Sequence, residues 1–202
     1  MYLLKFFYQL EANNIVLSVE EGIDFKKLKK QVSKFIISEI KYYGSITGLE
    51  SIKKIFTDIN IIHEEKDKNK CINLSKIKKS NIGKTERNLI DFSKVFNNCW
   101  GRNLAITKGE IVRPCIYSSI EICSLEDLKN SEIIDKIEKY WYLTKDKVDK
   151  CKICELRYSC PDCREIAYES SGNLYASNPN CLYNPETGVW GDEKVERLEK
   201  TV

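Results

Sequence analysis

The sequence predicts an α/β half followed by a small, cysteine-rich α+β half. In residues 1–90, strand-like and helix-like segments alternate and cysteine is almost absent. Eight of the nine cysteines lie from Cys99 onward. Four of them, Cys151, Cys154, Cys160 and Cys163, fall within a single short stretch. Buried cysteines usually occur as scattered small hydrophobes, so this density indicates metal chemistry.

The first half reads as strand, helix, strand, helix, strand. Predicted strands cover residues 14–19, 36–43 and 59–63, and the intervening helices are expected to be capped by Asp24 and Thr47. Repeated strand–helix–strand units imply a parallel sheet with right-handed crossovers. Three strands cannot close a barrel, so this half is either a small open sheet or the remnant of a larger α/β domain.

The second half differs in its cysteine content and is predicted to begin near residue 97. We therefore expect a partial α/β domain at 1–96, a cysteine-rich domain at 97–190 and a charged tail at 191–202. The remaining predicted elements are a short strand at 71–74, a helix at 85–96, a β-hairpin at 103–115, an amphipathic helix at 125–142 and a Pro/Asn-rich loop at 178–185.

Composition excludes several classes of protein. Charged residues make up 31% of the chain, but the net charge is only +3 and the two signs are interleaved, so no nucleic-acid partner is expected. The apolar start, residues 1–10, is too short to span a membrane and no signal-cleavage site follows it. We therefore expect a cytoplasmic protein without a membrane partner, in a compartment that keeps thiols reduced.

The thiols could form a metal site or a disulfide cluster, and their spacing and the expected reducing compartment favour the metal site. Their number is odd, and the single histidine, His63, lies far from them in sequence. A metal site built here would be all sulfur, or sulfur with carboxylate. The spacing is Cys99 and Cys115, then Cys151-x2-Cys154-x5-Cys160-x2-Cys163, then Cys181.

This constellation resembles the seven-cysteine pattern of the SPASM domain, the C-terminal domain of many radical SAM enzymes that modify ribosomally made peptides. The resemblance covers about residues 97–190. Within that group it is closest to the peptide maturases of the grasp-with-spasm systems. The similar segments are Thr144 to Lys147 after Trp141, the cysteine stretch itself, Tyr183-Asn184-Pro185 and Thr187-Gly188-x-Trp190. Two spacings depart from the pattern: Gly109 to Cys115 is one residue longer, and Cys160 to Cys163 is one shorter.

The resemblance implies two auxiliary [4Fe–4S] clusters. It assigns Cys151, Cys154, Cys160 and Cys181 to one cluster, and Cys99, Cys115 and Cys163 to the other. The second cluster then lacks a fourth thiol. Cys123 is a candidate for that position; otherwise one iron is open, or is bound by a non-cysteine group or a substrate thiolate.

The resemblance also implies a role in maturing a ribosomal precursor peptide, and it casts the first half as the last part of a radical SAM barrel. The Cx3Cx2C loop that binds S-adenosylmethionine in such enzymes is absent, because only Cys71 precedes Cys99. This chain alone is therefore expected to bind no S-adenosylmethionine and to be inactive by itself. Its expected partners are the precursor peptide and either a radical SAM core polypeptide or an ATP-grasp enzyme.

Two other functions use the same thiols. One is a zinc-binding structural or interaction module, although five residues between two CxxC pairs is short for a zinc ribbon. The other is a stand-alone, ferredoxin-like electron carrier, which would not need the predicted hairpin and helices.

Several neighbouring residues have simpler interpretations. Arg164 and Lys152 are candidates for positive charge near a reduced cluster, and Arg157 for tuning its charge or for an ion pair with Glu155. His63 is expected to be a hydrogen-bonded imidazole at a strand end. Cys71 is expected to serve packing. Tyr140, Trp141, Tyr158, Tyr183 and Trp190 are expected to form an apolar shell around the clusters.

Overall fold

The computed structural model describes residues 14–67, 77, 79–82 and 86–191. The chain divides into two compact units. The sheet unit comprises the described residues up to 66 together with 100–141, and the cysteine unit comprises the described residues of 67–99 together with those from 142 onward. None of the described helices combines the length and the apolar character that crossing a membrane requires.

The sheet unit is built on six strands in the order β3-β2-β1-β4-β5-β6. β1 lies next to β2 and β4, and these pairs, like β2 with β3, are parallel. β5 and β6 continue the sheet in antiparallel fashion. The strands are β1 Asn14–Glu20, β2 Ile36–Tyr43, β3 Asn60–His63, β4 Asn103–Thr107, β5 Ile111–Arg113 and β6 Cys123–Ser124.

The predicted parallel sheet and the predicted hairpin are both confirmed. Ile15, Leu17 and Val19 alternate along β1 and are wholly buried, which explains why this strand is central. The sheet also includes β4 as a fourth parallel strand, so it continues past residue 97, where the sequence places a domain boundary. Gly109 supplies the positive φ of 85° that the hairpin turn needs. Within the described residues the sheet is open, with β3 and β6 at its edges.

Three helices cover the sheet unit: α1 Phe25–Gln31, α2 Ile46–Ile55 and α4 Ser131–Trp141. Asp24 caps α1 as predicted, accepting hydrogen bonds from the amides of Lys26 and Lys27. The prediction that Thr47 caps α2 is wrong, because Thr47 lies within the first turn and Ser45 accepts the hydrogen bond from the amide of Gly48 at 3.2 Å. The predicted helix at 125–142 is shorter, since residues 127–129 form a separate 3-10 turn and Asn130 is extended.

The cysteine unit contains little regular structure. Its helices are α3 Arg87–Val95 and α5 Arg164–Ser171, and its small hairpin is β7 Tyr183–Asn184 with β8 Val189–Trp190. Cys71, the strand predicted at 71–74 and the tail from residue 192 lie outside the described residues.

Candidate metal centre

The four-thiol stretch folds into two short 3-10 turns. The first covers Cys151–Ile153 and leaves Cys154 extended; the second covers Arg157–Ser159 and leaves Cys160 extended. The amide of Cys154 donates to the carbonyl of Cys151 at 2.9 Å. Each turn is therefore followed directly by a cysteine in an extended conformation.

Three thiols share one hydrophobic cluster. Cys160 is buried there with Tyr183 and Trp190, whose ring centroids are 4.9 Å apart. Cys154 and Cys181 are half-buried and pack against the same group. Tyr183 and Trp190, two members of the predicted apolar shell, thus pack against these thiols.

Cys181 comes from a distant part of the chain and is held in place by polar contacts. The Tyr183 hydroxyl donates to the carboxylate of Glu155, beside Cys154, and this hydrogen bond raises the pKa of Tyr183 to about 12. The Lys150 ammonium donates to the carbonyl of Cys181 at 3.3 Å and lies 3.9 Å from its sulfur. These contacts join the loop after α5 to the cysteine stretch.

Arg157 does not form the ion pair with Glu155 that the sequence suggested; it pairs with Asp146. The Arg157 Nε donates instead to Asp146 at 2.7 Å, and its Nη1 donates to the carbonyl of Cys154 at 2.9 Å. The Tyr158 hydroxyl donates to the same Asp146 carboxylate. Arg157 therefore braces the cysteine stretch against the segment that precedes it.

Burial dominates the electrostatics of these thiols. It raises the pKa of Cys151 to about 12 and that of Cys160 to about 11, and it also raises the pKa of Cys154. The thiols also interact electrostatically with one another: Cys160 interacts with Cys154, Cys181 and Cys151. Cys154, Cys160 and Cys181 are thus within electrostatic range of one another, and Cys151 is within range of Cys160.

Two buried cations lie within electrostatic range of these thiols. Lys145 is only 6% exposed, and its ammonium donates to the carbonyl of Cys160. It lowers the pKa of the Cys151, Cys154 and Cys160 thiols against the larger effect of burial. Arg164 is wholly buried and acts on Cys151 in the same direction.

Arg164 is held by a buried network that sequence reasoning did not find. Its Nε donates to Asp162 Oδ2 at 2.6 Å, and its Nη1 donates to the carbonyls of Leu174 and Ala176. Asn178 donates to the other carboxylate oxygen at 3.0 Å. The flanking Asp162-Cys163-Arg164 sequence was the available signal, but burial of these charges is a tertiary property.

The donor set fits an iron–sulfur cluster in its chemistry. Sulfur ligands, amide donors and a partly apolar surround are what such clusters use, and the amide of Leu156 donates to the Cys154 sulfur. In the described part of the chain, no three Cys, His, Asp or Glu side chains are grouped tightly enough to hold one metal ion. A four-iron cluster binds each thiolate through a different iron, so its ligands need not converge on one point.

The other predicted ligands fall in both units. Cys163 precedes α5 in the cysteine unit; burial raises its pKa, and the amides of Ile166 and Glu165 partly offset this. Cys99 belongs to the same unit, where its amide donates to Asn97 at 2.9 Å. Cys115 and Cys123 belong to the sheet unit. Burial raises the pKa of Cys123 to about 11.

The sheet unit has a cavity of its own at the carboxyl end of β1. It measures about 330 Å³ and is lined by Glu20, Glu21, Gly22, Tyr43 and Lys108. The carboxyl ends of parallel strands are where α/β sheets usually bind ligands. Sequence reasoning passed over these residues, although two acids directly after a buried strand were a usable signal.

His63, at the end of β3, has the hydrogen-bonded role that the sequence predicts: its Nε2 lies 2.7 Å from the carbonyl oxygen of Gly44.

Comparison with known proteins gives partial similarity. The chain is 30% identical over 76 residues to an AdoMet-dependent heme synthase of Methanosarcina barkeri, which is 37% of this chain and 22% of that protein. It is 32% identical over 76 residues to the enzyme of the same name from Nitratidesulfovibrio vulgaris, covering 21% of it. The match therefore spans about a fifth of each relative. No family model and no solved structure matches the chain.

This similarity supports a relationship with the radical SAM group at a general level and, through it, an iron–sulfur protein. It does not distinguish peptide maturases from other members of that group. The number of clusters and their ligands stay predictions.

Proposed function

We propose that this chain is a SPASM-type iron–sulfur protein that takes part in maturing a ribosomally synthesised peptide. The observation that carries the proposal is that Cys181, distant in sequence, packs with Cys154 and Cys160 on one hydrophobic cluster. Cys151 is within electrostatic range of Cys160, and two buried cations act on these thiols. The AdoMet dependence in the names of the two relatives agrees with it.

In this proposal the chain's own residues bind and shield the cofactor. The four thiols hold one [4Fe–4S] cluster, while Tyr183 and Trp190 exclude water from it. Cys99, Cys115 and Cys163 hold a second cluster, with Cys123 as a candidate fourth ligand. When bound, such clusters supply one-electron transfer or an iron that accepts a peptide thiolate.

The proposal also assigns partners. The precursor peptide is the substrate, and a radical SAM core polypeptide or an ATP-grasp enzyme works with this chain. We place the core polypeptide on β3, which pairs only with β2 in the described sheet and exposes Ile62. An unpaired parallel edge offers backbone donors and acceptors for another strand.

Anaerobic reconstitution with iron and sulfide tests the cofactor. We expect about eight iron atoms per chain and visible iron–sulfur absorption, because two four-iron clusters are assigned. Stoichiometric zinc without that absorption, in protein purified from cells, would favour the zinc module and overturn the proposal. Iron uptake by a Cys151→Ala, Cys154→Ala double variant equal to that of the wild type would do the same.

Incubation with S-adenosylmethionine and a reductant tests the division of labour. The reconstituted chain alone should produce no 5′-deoxyadenosine, since its sequence has no Cx3Cx2C loop. Adding the core polypeptide and the precursor peptide should restore turnover, and Ile62→Lys should weaken that restoration while leaving the iron content unchanged. Turnover by the chain alone would contradict the assignment.

A further inference from the structure

The cysteine unit buries two cations beside the four-thiol site, and neither has a full set of partners. Lys145 is 6% exposed, and the carbonyl of Cys160 is the acceptor that its ammonium has among the described residues. An ammonium has three donor hydrogens, and burying a charge without compensation is costly. Asp162, a buried carboxylate within electrostatic range of Lys145, is already the ion-pair partner of Arg164. Two buried cations therefore share one negative charge, and the Lys145 ammonium is short of hydrogen-bond acceptors.

Arg164 has a similar deficit. Its Nε and Nη1 are satisfied by Asp162 and two carbonyls. Its Nη2 lies 2.6 Å from Asp162 Oδ2, within ion-pair distance, but forms no hydrogen bond with the described residues. The charge of Arg164 is therefore paired with Asp162, while one donor of the guanidinium is still unsatisfied. Buried donors of this kind are rare in native structures and call for an additional acceptor.

The two cations share one set of neighbours, the cysteine stretch. Lys145 interacts electrostatically with Cys151, Cys154 and Cys160, and Arg164 interacts with Cys151. A [4Fe–4S] cluster held by four thiolates carries net negative charge and has sulfur atoms that accept hydrogen bonds. It would supply the further negative charge that two cations sharing one carboxylate lack, and acceptors for the unsatisfied donors of Lys145 and Arg164.

We propose that Lys145 and Arg164 are the resident counter-charges of the cluster held by Cys151, Cys154, Cys160 and Cys181, and that they raise its reduction potential. This inference rests on the proposed function and adds two tuning residues to it. Reduction adds one electron, here from dithionite, and makes the cluster more negative. A fixed positive charge nearby favours that reduced state, and in a buried setting water screens it little.

Lys152 provides a matched control within the same stretch. It is a cation placed between Cys151 and Cys154, and the sequence makes it as good a candidate as Arg164, yet its side chain is exposed. Solvent screens an exposed charge. Lys152→Gln removes the same formal charge as Lys145→Gln, so the difference between the two isolates the effect of burial.

The experiment is an anaerobic potentiometric titration of the reconstituted full chain, followed by electron paramagnetic resonance, after iron and sulfide have been counted. Lys145→Gln and Arg164→Gln should each shift the midpoint potential to more negative values than Lys152→Gln does. Lys145→Arg and Arg164→Lys should stay near the wild-type potential. The Lys145→Gln shift should persist at high salt.

The outcomes distinguish a failure of the proposed function from a failure of the counter-charge inference. If the wild type takes up no iron, the proposed function itself fails. If the glutamine variants hold wild-type iron at the wild-type potential, the counter-charge inference is overturned while the function stands. If they lose iron and the charge-keeping variants do not, charge is needed for cluster binding and the inference is supported. Equal iron loss in glutamine and charge-keeping variants would assign these residues to packing and overturn it.

Discussion

Asp162 and Arg164 form an ion pair with both side chains almost wholly buried. Arg164 Nε donates to Asp162 Oδ2 at 2.6 Å, and the two side chains are 0% and 2% exposed. The pair flanks Cys163 and is joined to the loop before Cys181 by Asn178. It therefore ties the cysteine stretch to the segment that supplies the fourth thiol of the proposed cluster.

Asp162→Asn should strongly destabilise the cysteine unit. It leaves the guanidinium of Arg164 buried without its counter-ion, which costs about 3–5 kcal/mol in comparable cases. Urea unfolding of the metal-free protein, followed by tryptophan fluorescence, measures the change. Lys94→Gln is the control, because it breaks the exposed Lys94–Asp91 pair in the same unit and should cost at most about 1 kcal/mol. Equal losses in the two variants would contradict the importance of burial.

Cys154→Ala should lower the iron content by about four atoms per chain, since one of two four-iron clusters loses a ligand. Because bound metal also stabilises the fold around it, the cysteine unit should become more sensitive to protease while fragments of the sheet unit persist. Ile153→Ala, which changes an exposed side chain in the same turn, is the control. Identical digestion patterns for apo and reconstituted wild-type protein would refute this coupling.

Gly48→Ala should destabilise the sheet unit, although alanine normally favours helices by about 1 kcal/mol over glycine. A Cβ on Gly48 would lie 2.8 Å from Tyr42 Cζ and still closer to its hydroxyl oxygen, and Tyr42 is wholly buried. We expect a net loss of about 1–3 kcal/mol from this overpacking. Thermal unfolding of the single variants and of Gly48→Ala with Tyr42→Phe tests it. The double variant should recover part of the loss, because the closest atom is gone.

Glu20 should contribute to stability in a pH-dependent way. Burial alone would raise its pKa, but hydrogen bonds from the Lys66 side chain and the Lys108 amide, the latter at 2.6 Å, leave it lowered from 4.5. A lowered folded-state pKa means that the stabilisation is present above pH 4.5 and is lost as pH falls through the lower folded value.

Glu20→Gln should therefore cost about 1.5–3 kcal/mol at pH 7, the range for hydrogen bonds to charged groups. The difference from the wild type should vanish in acid. Urea unfolding across this pH range measures it. Glu50→Gln, at an exposed carboxylate on α2, should show little difference at any pH. A cost of Glu20→Gln that does not change with pH would show that the charge is not responsible.

Local patterns in the sequence were sufficient for most elements of the sheet. The alternation of Ile15, Leu17 and Val19 predicts a buried strand, and Asp24 predicts the start of α1, because both effects act within a few residues. The spacing of the thiols likewise predicts metal chemistry without any structure. The α2 cap was missed because Ser45 and Thr47 are both suitable capping residues, and the backbone conformation selects between them.

Tertiary structure decided which of these residues meet and which charges are buried. The sequence does not show that β4 pairs with β1, or that Tyr183 brings Cys181 to the cysteine stretch through Glu155, because those contacts join distant segments. Lys145 and Lys152 are the same residue type in the same part of the chain, yet one is buried against thiols and the other faces solvent. Burial depends on how distant segments pack, and local sequence patterns do not record that packing.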